Sequence, residues 1–260
     1  MREDFTALRI VVLMIALFVL VPLAIVVAVS FTPADFLKLP EGRLSVKWYK
    51  AIFSQPEFIT AFWRSVVLAL ASAGMSTILG TLATFALIRY PFKGSNLLDV
   101  LLMFPLIVPQ VVIGLCLLQY LNNLGISQSL PGLVIAHTVL CFPFIVRIVG
   151  TSLRGVNVNL EHAARNLGAS WSQSLFHVTL PLIKPGLMIA FGFAFLSSFD
   201  NLTVSLFVAG PYYVTLPVKL YLHIDYANDP LIASISTILI FIAIAFVFLF
   251  ERKGGLRRVF

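Results

Sequence analysis

Charged side chains are scarce in this sequence. Asp, Glu, Lys and Arg make up 11% of its 260 residues, where a soluble globular chain carries roughly a quarter. A soluble fold of this size could not hide the matching apolar surplus, 60% of residues and a mean hydropathy of +1.00, from water. Cysteine is almost absent. Cys116 and Cys141 both fall inside apolar runs, where a free thiol behaves as a small hydrophobe, and they argue for neither a disulfide nor a metal site. The phosphate-cradling pattern G-x-x-x-x-G-K-[ST] is missing and no Gly-Lys pair occurs anywhere, so this chain has no nucleotide site of that kind. Neither H-E-x-x-H nor G-x-S-x-G is present, which speaks against a membrane-embedded metalloprotease or serine hydrolase. His137, His162, His177 and His223 are dispersed and make no metal cluster. No solenoid-type repeat and no similarity between the halves is visible.

What is present is a series of long uncharged runs. A helix crosses a bilayer with about 20 mostly apolar residues. Ile10 to Ala34 and Ser65 to Ile88 each qualify. Val100 to Val146 is longer but is interrupted by Asn122, Asn123, Pro131 and Gly132, which predicts two spans and a tight hairpin. Pro185 to Val218 carries only Asp200 among the charged types, and Leu231 to Phe250 carries none. The expectation is an all-α membrane protein of six spans, roughly 9–30, 65–88, 98–121, 130–150, 186–208 and 231–250, forming a single transmembrane domain over 1–260. Ala28-Val29-Ser30 resembles a signal-peptide cleavage site, but the uncharged run before it far exceeds a signal core of about 7 to 15 residues. It reads as a retained helix.

Lys and Arg gather on the cytoplasmic side of membrane proteins. With both termini inside, the outer side holds Lys38, Arg43, Lys47, Lys50, Arg64 and Lys219, and the inner side holds the other twelve of the 18, among them Arg89, Lys93, Arg147, Arg154, Arg252, Lys253, Arg257 and Arg258. The predicted topology is N-in, C-in. The net charge of +7 then reports a membrane surface, and no nucleic-acid partner is needed to explain it.

Residues 45–65, rich in aromatics and charge, read either as short interfacial helices, with Trp48, Tyr49 and Trp63 at headgroup level, or as a plain loop. Ser72, Ser76, Gly80 and Thr84 form a small-residue stripe at four-residue spacing, suited to close packing within a bundle. Pro105, Pro109 and Gln110 open the third span; prolines at membrane depth free backbone groups that are tolerated beside protein or a wet cavity. His137 reads as a hydrogen-bonded packing residue.

Between the fourth and fifth spans lies a polar stretch, EHAARNLGAS. Asn159 is placed to cap a helix opening at Leu160, with Glu161 at the positive end of its dipole. Leu160, Ala163, Ala164 and Leu167 recur on one face. Gly168 suits a left-handed C′ position, and Ser170 to Gln173 is a capping box for a second helix running to about His177, before Pro181 and Pro185 lead into span five. The alanine-centred face is open to two readings: a docking element in helix-in-groove mode, or a loop folded against its own spans.

The pattern Glu161-x-Ala163-Ala164-x3-Gly168-x9-Val178-x-Leu180-Pro181 closely resembles the EAA loop of binding-protein-dependent transport permeases, the membrane subunits of type I ABC importers. One departure is that the family's Glu falls on His162, with Glu161 one residue earlier. The stretches MFPLIVPQVVIGLCLLQYLNNLGI, LVIAHTVLCFPFIVRIVGTSLRGV and SFDNLTVSLFVAGPYYVTLPVKLY look like permeases of spermidine/putrescine-type importers, and the likeness covers roughly residues 60–250. Related permeases of that branch serve opines, phosphonates and other small solutes.

The resemblance implies a permease subunit in the bacterial inner (cytoplasmic) membrane, surrounded by lipid, that is not itself an enzyme. It implies a second, homologous but non-identical permease, two ATP-binding subunits that carry ATP and Mg, and a periplasmic or extracellular solute-binding protein. This chain binds no cofactor. The coupling loop, 154–184, contacts the ATPase through Leu160, Glu161, His162, Ala163, Ala164, Arg165, Leu167 and Gly168, with Leu180 and Pro181 closing the motif. Asp200, within a family S-F-D/E pattern, is a candidate with Asn201 and Gln110 for the solute pathway. Its carboxylate either attracts a cationic solute, pairs with an Arg, a backbone amide or Asn201, or lies near the outer interface. A polyamine is the expected solute. An ion-coupled carrier is the rival class, but it leans on intramembrane charge, and Asp200 alone is thin for that.

Overall fold

The structure is a computed structural model that describes residues 2–254; Arg257 and Arg258 lie outside the described residues. It is 78% helix, with no strand among the described residues. The helices are α1 (Arg2–Ser30), α2 (Lys47–Phe53), α3 (Pro56–Arg89), α4 (Ser95–Leu102), α5 (Phe104–Ile107), α6 (Gln110–Asn123), α7 (Leu130–Arg154), α8 (Val158–Asn166), α9 (Trp171–Ser174), α10 (Leu180–Phe199), α11 (Thr203–Val208), α12 (Leu216–Tyr226) and α13 (Leu231–Gly254), with a π-helical turn over Leu175–Thr179.

Among the described residues, four stretches are long and apolar enough to cross a membrane: Leu8–Ser30, Pro56–Arg89, Leu130–Arg154 and Trp171–Phe199. A fifth is obtained if Ser95–Ile107 and Gln110–Asn123, bent by 106°, are taken as one broken span. Leu231–Ala245 is a shorter apolar helix. The expected span 98–121 is therefore not continuous. Val108 and Pro109 are extended, with ψ near 135° and 132°, because Pro109 has no N–H for the preceding turn and its ring disfavours helix at Val108. The expected span 186–208 is corrected in two ways. The helix reaches back to Trp171, since Pro181 sits in the first turn of α10 directly after the widened π-turn and does not end the helix. It also stops at Phe199, leaving α11 as a separate element. Span two starts earlier than expected, at Pro56.

The chain divides into two compact units, Met1–Thr60 with Leu220–Val247, and Ala61–Lys219 with Phe248–Phe260. In the first, α1 is exposed from Leu8 to Ile25. The helical reading of residues 45–65 holds for α2, but Trp48 and Tyr49 do not lie free at an interface. Trp48 is buried and donates its indole N–H to the Ala34 carbonyl at 3.1 Å, and the Tyr49 hydroxyl meets Ser30 Oγ at 2.7 Å. Both pin the chain just after α1. Ser234 of α13 donates to the Ser30 carbonyl at 3.2 Å.

The second unit is built around α7. Its start is set by Ser129, whose hydroxyl accepts from Gly132 N at 3.2 Å, with Pro131 in the first turn. The expected hairpin before it is present. One end of α7 packs Leu133, Ala136 and Leu140 with Leu121 of α6 and Val204 and Val208 of α11, and the other packs Ile145, Val149 and Leu153 with Ala73 and Phe85 of α3 and Ile183, Ala190 and Ala194 of α10. The small-residue stripe of α3 is buried and permits this approach: a Cβ on Gly80 would fall 2.7 Å from Ile145 Cγ2.

Candidate functional site

Two places in the second unit gather the residues singled out above. The first is α8. Its cap is Asn157 rather than Asn159: the Asn157 side chain accepts from Asn159 N at 3.0 Å, so the helix starts two residues earlier, at Val158. Both asparagines are good caps, and the short link from α7 selects the first. At the other end Gly168 adopts φ +92°. Gly168 N bonds to the Arg165 carbonyl at 2.9 Å and Ala169 N to the Ala164 carbonyl at 3.1 Å, the paired bonds of a Schellman ending. The capping box at Ser170 and Gln173 forms as expected, with bonds of 3.3 and 2.8 Å.

The orientation of α8 follows from one ion pair. Glu161 does not project outward. Its Oε1 accepts from Arg89 Nε at 3.1 Å and lies 3.0 Å from Nη2 as an ion pair, with the two side chains only 13% and 18% exposed. Arg89 Nη2 also donates to the carbonyls of Leu153 and Val156, at 3.2 Å each. With Glu161 turned inward, the apolar face turns out: Leu160 is 47% and Leu167 90% exposed, and Ala163 is exposed. Ala164 is half-buried. The loop is thus not folded by this face against its own spans. His162 and Arg165 are exposed and border a hollow of about 140 Å³ that Arg89, Glu161 and Trp171 also line. Leu180 packs into the core and Pro181 is exposed at the start of α10. Arg89 was missed in the sequence, where it counted only as an inner-side charge; the available signal was a lone acid in the first turn of α8 with no basic neighbour at helical spacing before it.

The second place is where two helix breaks meet. Gln110 opens α6 after the Pro109 bend, and Asn201 lies between α10 and α11. Asn201 Nδ2 donates to Gln110 Oε1 at 3.3 Å, while its Oδ1 accepts from Val204 N at 2.9 Å. Residues 91 positions apart are thereby joined. His137 sits beneath the second break, fully buried, with Nδ1 at 2.8 Å from Ser198 Oγ and Nε2 at 3.0 Å from Ser205 Oγ. It spans α10 and α11 as a hydrogen-bonded packing residue. His137→Leu leaves two buried hydroxyls without this partner, at about 1 to 3 kcal/mol each. The expected result is a lower thermal midpoint in detergent with helical circular dichroism retained; an unchanged midpoint would remove His137 from this role. Asp200 is different. It caps the C-terminal end of α10 and is exposed, and its carboxylate has no hydrogen bond or ion pair with any described residue. It pairs with neither an Arg nor Asn201. A carboxylate at a helix C-terminus faces the negative end of the dipole, so helix stability does not account for it.

Residues 76–252 match the family described as binding-protein-dependent transport system inner membrane component. The chain belongs to this family. It is a multi-pass inner-membrane permease of an ABC importer. It is 31% identical over 227 residues to the spermidine/putrescine transport system permease protein PotC of Escherichia coli (strain K12), covering 87% of this chain and 86% of that one. It is 29% identical over 240 residues to the putrescine transport system permease protein PotI of the same organism, covering 89% and 85%. The fold matches a crystal structure of a bacterial ABC transporter involved in the import of the acidic polysaccharide alginate, with a TM-score of 0.75 over 96% of each chain at 16% identity. That likeness speaks for the permease fold alone.

Proposed function

We propose that this permease forms half of a pathway for polyamines and is driven through α8 by a cytoplasmic ATPase. The observation that carries the reading is the outward face of α8: an alanine-centred apolar strip, Leu160, Ala163 and Leu167, exposed because Glu161 is held inward, at the position of the EAA pattern. A short strip of small residues suits a shallow groove on a partner. His162 stands where the family has Glu, and Arg165 flanks the strip with a charge of the opposite sign, so the contact made there differs from the family's. In this reading the chain has six spans with both termini cytoplasmic, the broken helices and α13 supplying those beyond the four continuous ones. It works as one transmembrane domain with a homologous, non-identical permease, two ATPase subunits that carry ATP and Mg, and a solute-binding protein outside.

The solute class rests on the polyamine permeases among its relatives and on Asp200. An unpartnered carboxylate beside the Gln110–Asn201 bridge, where two helices break, offers a cation a charge and two amides. Discontinuous membrane helices commonly line such wet cavities. The decisive experiment is the ATPase activity of the complex co-purified through a tag on this chain, in nanodiscs with its binding protein, with and without spermidine or putrescine. Stimulation by either is expected. Asp200→Asn is expected to raise the half-stimulating spermidine concentration about tenfold, equivalent to one lost contact of about 1.4 kcal/mol. Co-purified activity that ignores polyamines would sink the solute class and keep the importer; no co-purifying ATPase would sink the coupling.

A further inference from the structure

The guanidinium of Arg89 joins three elements, the end of α3, the end of α7 with its linker, and the first turn of α8. It sits in the last turn of α3. Through Nη2 it takes the carbonyl of Leu153, in the last turn of α7, and that of Val156 in the linker, and through Nε and Nη2 it takes Glu161 in the first turn of α8. The next residue adds a second grip: the Trp171 indole N–H, at the start of α9, donates to the Tyr90 hydroxyl. Position 89 therefore holds the first turn of α8, and position 90 holds the start of α9, just beyond the other end of α8. Without them α8 is held by the short link Gly155 to Asn157, by the turn at Gly168 and by its packing on the π-helical turn Leu175–Thr179. Val156 packs against the core and Asn157 caps α8, but Gly155 and Gly168 leave one position of each link without a side chain.

We propose that Arg89 is the positioning residue that makes α8 and the end of α3 move as one body when α8 is displaced, carrying its motion into the bundle by a route other than the direct connections of α8 to its neighbours in sequence. The proposal rests on reading α8 as the coupling helix. Without the clamp, displacement of α8 is absorbed by its two links. A lysine cannot substitute, because a single ammonium on a flexible stem cannot present the fixed fork that reaches a carboxylate and two carbonyls together. The partly buried setting keeps the pair from being screened as a surface pair would be.

The test uses the whole complex in nanodiscs, on a background with Cys116→Ser and Cys141→Ser. Spin labels are placed on two exposed sites, Ala86→Cys in α3 and Asn166→Cys in α8, and their distance is measured by pulsed electron resonance with nucleotide absent and in the ATP–vanadate trapped state. With Arg89 present the distance distribution is expected to stay narrow and in place. With Arg89→Gln, Arg89→Lys or Glu161→Gln it is expected to broaden and shift on trapping, and the exchange Arg89→Glu with Glu161→Arg is expected to narrow it again in part. Glu161→Gln spares the Arg89 grip on the carbonyls, so an effect there is not a general loss of folding. A distance that shifts on trapping with Arg89 intact, or one that stays narrow in Arg89→Gln, overturns the clamp. A separate cross-link from Ala163→Cys to the ATPase subunit tests the docking itself. Its failure would strike the coupling reading, whatever the label distances show.

Discussion

Ala163→Trp is expected to abolish solute-stimulated ATP hydrolysis and transport while leaving the chain folded and inserted. Ala163 is exposed on the outward face of α8, between Leu160 and Leu167, so an indole there extends from the surface of its own subunit. Any effect must come from what the face touches. Forcing extra volume into a fitted contact costs about 1 to 3 kcal/mol and sometimes more, and a strip of two helical turns has little area to offset it. Ala164→Trp is a less clean probe, since Ala164 is half-buried and borders a hollow with Leu167, Gly168 and His177; it is expected to disturb the turn as well. The measurement pairs ATPase activity and uptake with co-purification of the ATPase subunit. Normal transport by Ala163→Trp with the ATPase bound would end the assignment of α8 as the coupling helix.

Gly186→Val is expected to have the largest effect on folding. Helices α7 and α10 meet at Gly186, where an added Cβ would stand 1.9 Å from Ser152 Oγ and 2.6 Å from Ser152 Cβ. Rotating the hydroxyl away relieves the first clash. The second is to the root of the side chain, so the helices must part. Around that contact Ile183, Ala190, Val149 and Leu153 are buried in one cluster, and parting them costs packing along several turns. A loss of about 1 to 3 kcal/mol or more follows, read as a large drop in thermal midpoint and in monodisperse yield. Adding Ser152→Gly removes both clashing atoms and is expected to recover much of the loss. A Gly186→Val protein as stable as the parent would mean that α7 and α10 are not held at this distance.

How far these features were legible in the sequence differs by their range. Local ones were. The hairpin before α7, the left-handed Gly168, the capping box at Ser170 and the buried stripe on α3 each depend on residues within a turn or two, whose spacing is written directly in the chain. Choices between equivalent local signals were not: Asn157 and Asn159 are equally good caps, and the length of the link from α7 decided between them. The break at Val108 is written locally in Pro109, but the one at Asp200–Leu202 is hidden for another reason. An apolar run has the same composition whether its helix is continuous or broken, and the polar bonds at the breaks, Asn201 with Gln110 and His137 with Ser198 and Ser205, join residues far apart in the chain.

By itself the sequence determined the membrane class, through a charge content too low for water. It also determined the permease family, through the spacing of Ala163, Ala164, Gly168, Leu180 and Pro181. It could not decide which way α8 faces. That depends on Glu161 meeting an arginine 72 residues earlier, and an ion pair between distant segments leaves no periodic trace in either. The tertiary structure decided it, because Arg89 draws the only acid of α8 inward and leaves the alanine face outside.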